Sequence, residues 1–327
     1  MNVLIADKLE QSGIDGIKAL GCKVTSDAAV APEGIGAAVG TSGAQVLIVR
    51  GKKVPAAAIK ESKGLKLIVR AGAGYDTIDV PSASAAGIAV CNCPGMNAVA
   101  VAELAMGLLL ACDRRIPEET ASLRAGMWNK KEFSKARGLK GTTLGVIGTG
   151  SIGRELIKRA KAFDMKVIAW SRSLTAAAAK DLGAEFGGND RAGLLAMLAK
   201  CDSVSLHVAG NDGTKKLADT QFFGAMKKGA YFINTTRGSV VDEAALRQAI
   251  QDKGIRAGLD VFENEPATPE GAWDCPTVKL PGVAATHHVG ASTDQAQEAV
   301  AAETVRIVKV FKETGRFENC VNALALK

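Results

Sequence analysis

Residues 143–172 read TLGVIGTGSIGRELIKRAKAFDMKVIAWSR, and their pattern indicates how the second half of the chain folds. The apolar run TLGVI predicts a buried strand, a glycine-rich turn follows it directly, and residues 152–163 have the apolar spacing of a helix. The next apolar run, KVIAW, predicts another strand. A glycine-rich turn between a strand and a helix, with a second strand about a dozen residues later, indicates a βαβ unit that binds a dinucleotide.

The glycines of the turn have separate roles in such a unit. Gly148 permits the tight turn, Gly150 lets the backbone approach a pyrophosphate, and Gly153 lets the helix pack closely on the strand. The amides and the positive dipole at the helix N-terminus favour anionic phosphates. The alternative is a turn that binds nothing. The residues predicted to bind the coenzyme here are Gly148, Thr149, Gly150, Ser151, Ile152 and Gly153.

The residues after KVIAW bear on the choice of coenzyme. An NAD site carries Asp or Glu about 20 residues beyond the glycines to bind the ribose, but this chain has Ser171 and Arg172 there. Without the acid, nothing repels a 2′-phosphate, and a guanidinium can bind that phosphate with two parallel hydrogen bonds. We therefore predict NAD or NADP, with NADP made plausible by Ser171 and Arg172. In the alternative interpretation, Arg172 stacks on the adenine or faces water.

Short apolar runs rich in Val and Ile recur along the chain, with helix-like stretches between them. Their continuous apolarity predicts strands buried on both faces, and the alternation predicts an α/β fold with parallel sheets. The remaining runs are residues 3–6, 46–49, 65–69, 87–90, 203–208, 230–233 and 258–262. Further helices are predicted at 194–198, 243–253 and 292–311. The runs form two series, one before residue 97 and one after residue 142. This agrees with the number of domains expected for a chain of 327 residues, which is about two.

Composition and charge exclude several classes of protein. No apolar run reaches the about 18 residues of a membrane span, and the N-terminus lacks the features of an export signal. Seven cysteines without such a signal favour the reducing cytoplasm over a disulfide framework. Cys91 and Cys93 lack the spacing of a zinc site, so no metal is expected. The net charge of +7 favours an anionic partner. Because the basic residues are scattered and aromatic residues are few, we expect a small molecule rather than nucleic acid.

Three polar residues stand where apolar strands of the second series end: Arg237, Glu265 and His288. Ligands bind at the carboxyl ends of parallel strands. Arg237 could hold a substrate carboxylate and polarise the reacting carbonyl, His288 could exchange the hydroxyl proton, and Glu265 could orient the imidazole. Each residue also has an ordinary structural interpretation, but together with the dinucleotide motif they predict redox chemistry on a hydroxy acid.

These motifs resemble the D-isomer-specific 2-hydroxyacid dehydrogenase family over nearly the whole chain. CPGMNAVAVAEL (93–104) is similar to the start of its interdomain and dimer-contact helix, RAGAGYD (70–76) to its substrate-carboxylate loop, and HHVGAST (287–293) to its proton-donor segment. The resemblance implies a flavodoxin-like substrate-binding domain (1–97 and 292–327) with an inserted NAD(P)-binding Rossmann domain (98–291). It also implies catalysis at the cleft between the domains and a homodimer or higher homo-oligomer.

The resemblance also implies roles for individual residues. Arg237, Glu265 and His288 would be catalytic, and His288 would be the proton donor, whereas His287 has no assigned role. The further cofactor-binding residues it implies are His207, Val208, Thr235, Thr236, Asp260 (at the nicotinamide carboxamide) and Gly290. The substrate-binding residues it implies are Gly72, Ala73, Gly74 and Asn97.

Three segments resemble the phosphoglycerate dehydrogenases of this family: VRGKKV (49–54), MWNKKEF (127–133) and NCVNAL (319–324). The resemblance is to the short form without a C-terminal regulatory domain. Arg50, with Lys130 or Lys131 from a partner subunit, would bind a substrate phosphate. The expected reaction is oxidation of D-3-phosphoglycerate to 3-phosphohydroxypyruvate, the first step of serine biosynthesis.

Two alternatives remain open. Phosphoglycerate dehydrogenases usually carry the acid that is absent here, and the glyoxylate and hydroxypyruvate reductases of the family often have Arg in this region and use NADPH. The second alternative is a nucleotide-sensing, corepressor-like regulatory protein, because such proteins can retain the catalytic residues.

Overall fold

The computed structural model describes residues 1–266, 268 and 270–326. The chain divides into two compact units, one of Met1–Asn97 with Ala291–Lys327 and the other of Ala98–Gly290. Every strand pairing within the two sheets is parallel.

The strands alternate with helices along the chain. The strands in the described residues are β1 (Asn2–Ile5), β2 (Lys23–Ser26), β3 (Val46–Val49), β4 (Leu67–Arg70), β5 (Ala89–Asn92), β6 (Thr143–Ile147), β7 (Lys166–Trp170), β8 (Glu185–Phe186), β9 (Ser203–Leu206), β10 (Tyr231–Asn234), β11 (Arg256–Leu259) and β12 (Val283–Ala285). The helices in the described residues are α1 (Gln11–Ala19), α2 (Ile35–Ser42), α3 (Ala56–Glu61), α4 (Val80–Ala85), α5 (Ala98–Arg114), α6 (Ile116–Arg124), α7 (Lys130–Phe133), α8 (Ser151–Ala162), α9 (Ala176–Asp181), α10 (Arg191–Leu198), α11 (Thr220–Ala225), α12 (Glu243–Lys253) and α13 (Asp294–Thr314).

The first unit has the sheet order β2-β1-β3-β4-β5, which is the flavodoxin-like order. Alternate residues of one strand enter different cores, because successive side chains point to opposite faces. Leu4 packs with residues of α2 and α3, whereas Val3 and Ile5 pack with residues of α1 and α13. Both faces of the sheet are therefore covered by helices, as the continuous apolar runs predict.

The second unit has the sheet order β12-β11-β10-β9-β6-β7-β8. Read from β8, this is the Rossmann order extended by one strand, and the order reverses between β6 and β9. One face packs against α5 and α8, and the other packs against α10, α11 and α12. The switch point between β6 and β9 is where such a sheet binds its ligand.

The structure confirms the predicted fold class, two parallel-sheet domains of which one is a Rossmann domain, and adds strands that the sequence did not indicate. These are β2, β8 and β12, and each lies at the edge of its sheet. Most of their residues are at least partly exposed, so they lack a continuous apolar run. The predicted strand at 258–262 is instead Arg256–Leu259, and the chain turns at Asp260.

Three other findings concern the described residues only. None of their helices combines the length and apolarity needed to cross a bilayer. No group of three or more His, Cys, Asp or Glu side chains among them could hold a metal ion. All seven cysteines are described, and none forms a disulfide.

Candidate active site

The glycine turn joins β6 to α8, and two of its glycines are required by packing. A Cβ atom at Gly148 would lie 2.4 Å from the backbone oxygen of His207, and one at Gly153 would lie 2.0 Å from that of Gly148. A Cβ atom at Gly150 would have no neighbour within 4 Å. Packing therefore explains Gly148 and Gly153, whereas Gly150 borders open space at the start of a helix.

This end of α8 fits a coenzyme pyrophosphate. The amide of Arg154 donates to the oxygen of Gly150 at 3.0 Å, so the amides of residues 151–153 precede the first intrahelical hydrogen bond. Two buried side-chain atoms that follow neighbouring strands, His207 Nδ1 and Thr235 Oγ1, have no hydrogen-bond partner among the described residues. Open space, helix amides and unpartnered polar atoms at a topological switch point suit a dinucleotide.

The imidazole of His207 follows β9 and is neutral. Its Nε2 and the Ser205 hydroxyl are 2.8 Å apart. Burial lowers the pKa of His207 to about 3, because no anionic group compensates for desolvation of the imidazolium. His207 therefore presents an uncharged ring, and Val208 follows it directly in the chain.

Ser171 and Arg172 stand beside the glycine turn, since the amide of Gly148 donates to the oxygen of Trp170 at 2.8 Å. Arg172 is exposed, and its Nη1 lies 2.8 Å from where a Cβ atom of Gly213 would be. Across the part of the chain that the structure describes, Arg172 makes no ion pair. An exposed guanidinium is thus available to a ligand at this end of the sheet.

Arg237 is presented by a turn that Asn234 organises at the end of β10. The Asn234 side chain accepts from the amide and the hydroxyl of Thr236 at 3.0 and 2.7 Å, and donates to the oxygen of Arg237 at 3.1 Å. Arg237 Nη1 donates to the oxygen of Thr236 at 2.7 Å. Asn234 was not predicted as a site residue, although it ends an apolar strand, which is the signal that identified Arg237.

His288 and Glu265 form a hydrogen-bonded pair. His288 Nδ1 and Glu265 Oε2 are 2.7 Å apart, and Glu265 Oε1 accepts from the amide of Phe262 at 2.9 Å. Burial raises the pKa of Glu265, but the bonds from His288 and Phe262 and the charges of His288 and Arg237 outweigh it and keep that pKa below its usual range. Glu265 is therefore an anion at neutral pH. The His288 side chain is 46% exposed, so its Nε2 remains accessible.

Asp260 holds the loop that carries His288. Its carboxylate accepts from the Thr286 hydroxyl at 2.6 Å and from the amides of Val289 and Gly290 at 2.9 Å each. Its backbone oxygen accepts from the amide of His288 at 2.8 Å. His288 has a left-handed φ of 53°, a conformation that surrounding contacts must maintain. The predicted coenzyme contact of Asp260 stays a prediction, whereas its anchoring of this loop is observed.

In the first unit, cationic side chains line a cavity of about 70 Å³ at the ends of the strands. Its lining residues are Lys8, Leu9, Glu10, Arg50, Arg70, Ala71, Gly72, Asn97, Ala291, Ala296, Gln297 and Val300. Arg50 Nη1 donates to Gln297 Oε1 at 2.7 Å. The buried Asn97 Oδ1 has no hydrogen-bond partner among the described residues. The structure thus groups three of the predicted substrate-binding residues, Arg50, Gly72 and Asn97, around space for one small anionic group.

Two residues that were not predicted as site residues act at this cavity: Arg70 lines it, and Asp7 binds the backbone of Arg50, which lines it. Asp7 follows β1, and its Oδ2 accepts from the amides of Arg50, Gly51 and Lys52 at 2.8 to 2.9 Å. Arg70 is the last residue of β4, and its Nη1 occupies the place that a Cβ atom at Gly72 would take. Gly72 has a φ of 150°, so only glycine lets the Arg70 guanidinium lie over the loop of residues 70–74.

The other residues predicted to bind the substrate, Ala73, Gly74, Lys130 and Lys131, do not line this cavity. Ala73 accepts from the Asn92 side chain at 2.6 Å, and Gly74 is half-buried beside it. Lys130 and Lys131 belong to the second unit, where both are exposed on α7. Lys130 lines a groove with apolar residues that include Leu123, Met127 and Trp128.

Comparison with known proteins identifies the class. The family model described as "D-isomer specific 2-hydroxyacid dehydrogenase, NAD binding domain" matches residues 106–290. A hydroxypyruvate reductase of Thermotoga maritima is 45% identical over 272 residues, which are 83% of this chain and 85% of that protein. A D-3-phosphoglycerate dehydrogenase of Methanocaldococcus jannaschii is 41% identical over 85% of this chain, but the chain spans only 52% of that relative.

A solved structure gives the same answer. The NADPH-dependent glyoxylate/hydroxypyruvate reductase of Sinorhizobium meliloti, in complex with NADP and malonate, superposes with a TM-score of 0.80 at 28% identity, covering 98% of this chain and 96% of that one. The chain belongs to the D-isomer-specific 2-hydroxyacid dehydrogenase family, a family of oxidoreductases. Its second unit is the family's domain for a nicotinamide coenzyme.

Proposed function

We propose that this protein transfers hydride between a nicotinamide coenzyme and C2 of a D-2-hydroxy acid, with Arg237, Glu265 and His288 as its catalytic residues. The observation that carries the proposal is the 2.7 Å pair of His288 Nδ1 and Glu265 Oε2, and the charge of Arg237 is among the causes that lower the pKa of Glu265. A proton-exchanging imidazole oriented by a carboxylate, next to a carboxylate-binding guanidinium, suits this reaction.

Each side chain has one task in the reaction. The coenzyme, when bound along residues 148–153, supplies or accepts the hydride. In the oxidative direction His288 Nε2 takes the hydroxyl proton, and the Glu265 anion stabilises the imidazolium that forms. In the reductive direction the same nitrogen returns the proton to the carbonyl oxygen. Arg237 binds the substrate carboxylate and polarises the carbonyl, which stabilises charge on oxygen in the transition state.

For the substrate we propose D-3-phosphoglycerate and its oxidised form, 3-phosphohydroxypyruvate. This is supported by the cationic cavity lined by Arg50, Arg70 and Lys8, since arginines bind phosphate with strong, directional hydrogen bonds. The curated phosphoglycerate dehydrogenases among the relatives point the same way. Lys130 or Lys131 of a partner subunit would add positive charge, which links this proposal to a homo-oligomer.

The second candidate is reduction of hydroxypyruvate or glyoxylate with NADPH. The exposed Arg172 beside the glycine turn favours it, because no carboxylate stands there to repel a 2′-phosphate. The names of the Thermotoga maritima and Sinorhizobium meliloti proteins agree with it.

For the oligomer we propose a dimer formed through α5, whose start resembles a dimer-contact helix, and through the adjoining segment of α6, α7 and the residues between them. Leu123 of α6 is 55% exposed, and Met127 and Trp128, which lie between α6 and α7, are 62% and 80% exposed. These large apolar side chains form a cluster of the kind that marks an interface. Sedimentation should give the mass of at least two chains, and Trp128→Glu should shift it towards one chain. A monomeric wild-type protein would contradict this part of the proposal.

The deciding experiment measures kcat/KM for 3-phosphoglycerate, 3-phosphohydroxypyruvate, hydroxypyruvate and glyoxylate with each coenzyme. Preference for the phosphorylated pair supports the first candidate, and activity confined to glyoxylate and hydroxypyruvate with NADPH supports the second. Arg50→Ala should raise KM for phosphorylated substrates far more than for glyoxylate. Tight coenzyme binding without turnover of any 2-hydroxy or 2-oxo acid would favour a nucleotide-sensing regulatory protein.

Two sets of variants test the residue roles. His288→Asn should nearly abolish turnover while leaving coenzyme affinity close to that of the wild type, and unchanged turnover would refute the assignment. Ser171→Asp should shift the binding preference towards NADH, and Arg172→Ala should weaken NADPH binding more than NADH binding. If neither variant changes the ratio of the two affinities, Arg172 does not bind the 2′-phosphate.

A further inference from the structure

A buried carboxylate outside the catalytic set contacts the loop that carries Glu265. Glu243 is the first residue of α12 and is 8% exposed. Its Oε1 accepts from the amide of Glu263 at 2.6 Å, and its Oε2 accepts from the Thr277 hydroxyl at 2.8 Å. Arg247, one turn along α12, has its Nη1 3.9 Å from the same Oε2. The position at a helix N-terminus further stabilises the negative charge. Glu243 thus joins three segments of the second unit.

The peptide that Glu243 holds is packed directly against the residue after Arg237. A Cβ atom at Gly238 would lie 1.9 Å from the oxygen of Phe262 and 2.4 Å from the amide nitrogen of Glu263. The segment that presents Arg237 and the segment that leads to Glu265 therefore touch through backbone atoms. The hydrogen bond from Glu263 to Glu243 fixes the second segment at this contact.

Beyond that peptide, the loop of residues 262–265 is held by contacts with the Glu265 side chain and with Trp273. The amide of Phe262 donates to Glu265 Oε1 at 2.9 Å, and Trp273 Nε1 donates to the oxygen of Asn264 at 2.9 Å. The Phe262 and Trp273 rings pack edge to face with centroids 4.8 Å apart. Among the described residues, the bond from the Glu263 amide to Glu243 is one of the contacts that fix the position of this loop.

We propose that Glu243 is a positioning residue for the proton-transfer pair, holding the Glu263 amide so that Glu265 Oε2 meets His288 Nδ1. Glu243 binds neither substrate nor coenzyme, and it acts only through the loop of residues 262–265. The inference rests on the proposed function, in which Glu265 and His288 exchange the substrate proton. A displacement of about 1 Å at such a pair can reduce the rate about 100-fold.

Four variants test this inference. Glu243→Ala removes both acceptors, and Glu243→Asp keeps the charge and the helix start but withdraws the carboxylate from Glu263 by one methylene group. Glu243→Gln retains an oxygen acceptor for the Glu263 amide. Thr277→Val is the matched control, because it removes the partner of Oε2 and leaves the bond to Glu263. Aspartate is favourable in the first turn of a helix. The Glu243→Asp variant therefore tests the inference even if the Glu243→Ala variant does not fold.

The readouts are kcat, KM for coenzyme, and the pKa of the Glu265 carboxyl measured by carbon NMR. In the Ala and Asp variants we expect kcat to fall about 10- to 100-fold with KM for coenzyme within about 2-fold of the wild type. The pKa of Glu265 should rise towards or above its usual range, because its bonds from His288 and Phe262 weaken while burial remains. Glu243→Gln and Thr277→Val should stay close to the wild type in all three readouts.

The NMR titration separates this inference from the proposed function, because it needs neither substrate nor coenzyme. If no 2-hydroxy or 2-oxo acid is turned over but the pKa of Glu265 rises in Glu243→Asp and recovers in Glu243→Gln, the proposed function fails and the positioning role of Glu243 is supported. If the pKa of Glu265 and kcat are unchanged in Glu243→Ala and Glu243→Asp, the inference is overturned. A loss of kcat that Glu243→Gln does not rescue overturns it as well.

Discussion

Replacement of Asp260 should loosen the loop that carries His288. The carboxylate is 1% exposed and accepts three hydrogen bonds, from Thr286, Val289 and Gly290. Asp260→Ala leaves these donors buried without an acceptor, at about 1–3 kcal/mol each. Water entering the space recovers part of this cost, so we expect the free energy of unfolding to fall by about 3–5 kcal/mol.

Two milder variants calibrate this expectation. Asp260→Asn keeps the volume, but its amide group meets the amide of Gly290, so one hydrogen bond is lost, at about 1–3 kcal/mol. Thr286→Val removes only the hydroxyl bond, at about 1 kcal/mol. We therefore expect Asp260→Ala to destabilise the protein most, Asp260→Asn less, and Thr286→Val least.

The assay combines urea unfolding with kinetics at saturating coenzyme. Because Asp260 fixes the amides that follow His288, Asp260→Ala should also reduce kcat, by about 100-fold if the imidazole moves by about 1 Å. Thr286→Val should change kcat far less. Wild-type stability and kcat in Asp260→Ala would refute the reasoning that Asp260 holds this loop. Coenzyme affinity of Asp260→Asn tests the separate prediction that Asp260 binds the nicotinamide side.

Three further predictions concern the glycine turn and two titrating groups. Gly153→Ala should destabilise the protein, because its Cβ would lie 2.0 Å from a backbone oxygen, whereas Gly150→Ala should fold normally, since its Cβ meets nothing within 4 Å, and should weaken coenzyme binding measured by calorimetry. Burial lowers the pKa of His207 from an ordinary 6.5 to about 3, so between these pH values only the unfolded state takes up this proton. The free energy of unfolding should therefore fall by about 3 kcal/mol by pH 4.5. His207→Gln should remove this dependence in urea unfolding, and an unchanged dependence would show that His207 is not its source. Burial raises the pKa of Asp7, but the hydrogen bonds from the amides of residues 50–52 and of Lys8 outweigh burial and keep that pKa below 3.8. The ionised Asp7 therefore stabilises the folded protein fully above pH 3.8, and this stabilisation is lost as the pH falls through the folded-state pKa. Asp7→Asn should make the free energy of unfolding depend less on pH in that acid range, and an equally steep dependence would contradict this.

Of the proposed catalytic residues, Arg237 and Glu265 each follow a strand that an apolar run marks, whereas the strand before His288, β12, has no such run. Parallel strands present their carboxyl ends at one edge, so polar residues at those ends are recognisable from the chain alone. The same signal marks Asn234 and Asp7, which the sequence analysis passed over because neither belongs to a chemical motif. Their importance lies in the backbone groups they bind, and these become apparent only when the turns are built.

The edge strands show where sequence patterns lose their information. β2, β8 and β12 were missed because an edge strand is covered on fewer sides and needs no continuous apolar run. Similarly, Glu243 looks like an ordinary charged residue in the chain, and for Asp260 the resemblance implies a coenzyme contact rather than a loop anchor. Both residues are buried because backbone amides and hydroxyls distant in sequence satisfy their charges.

By itself, the sequence determined the alternation of strands and helices, the glycine turn at 148–153 and the identity of the groups that could do the chemistry, because these depend on local spacing and residue type. The folded structure was needed to show the strand orders, the 2.7 Å contact between His288 and Glu265, which are 23 positions apart in the chain, and the grouping of Arg50 with Arg70 in one cavity. The physical reason is that these arrangements depend on which strands become neighbours. Packing between segments far apart in the chain determines which strands are neighbours, and the local periodicity of the sequence does not predict this packing.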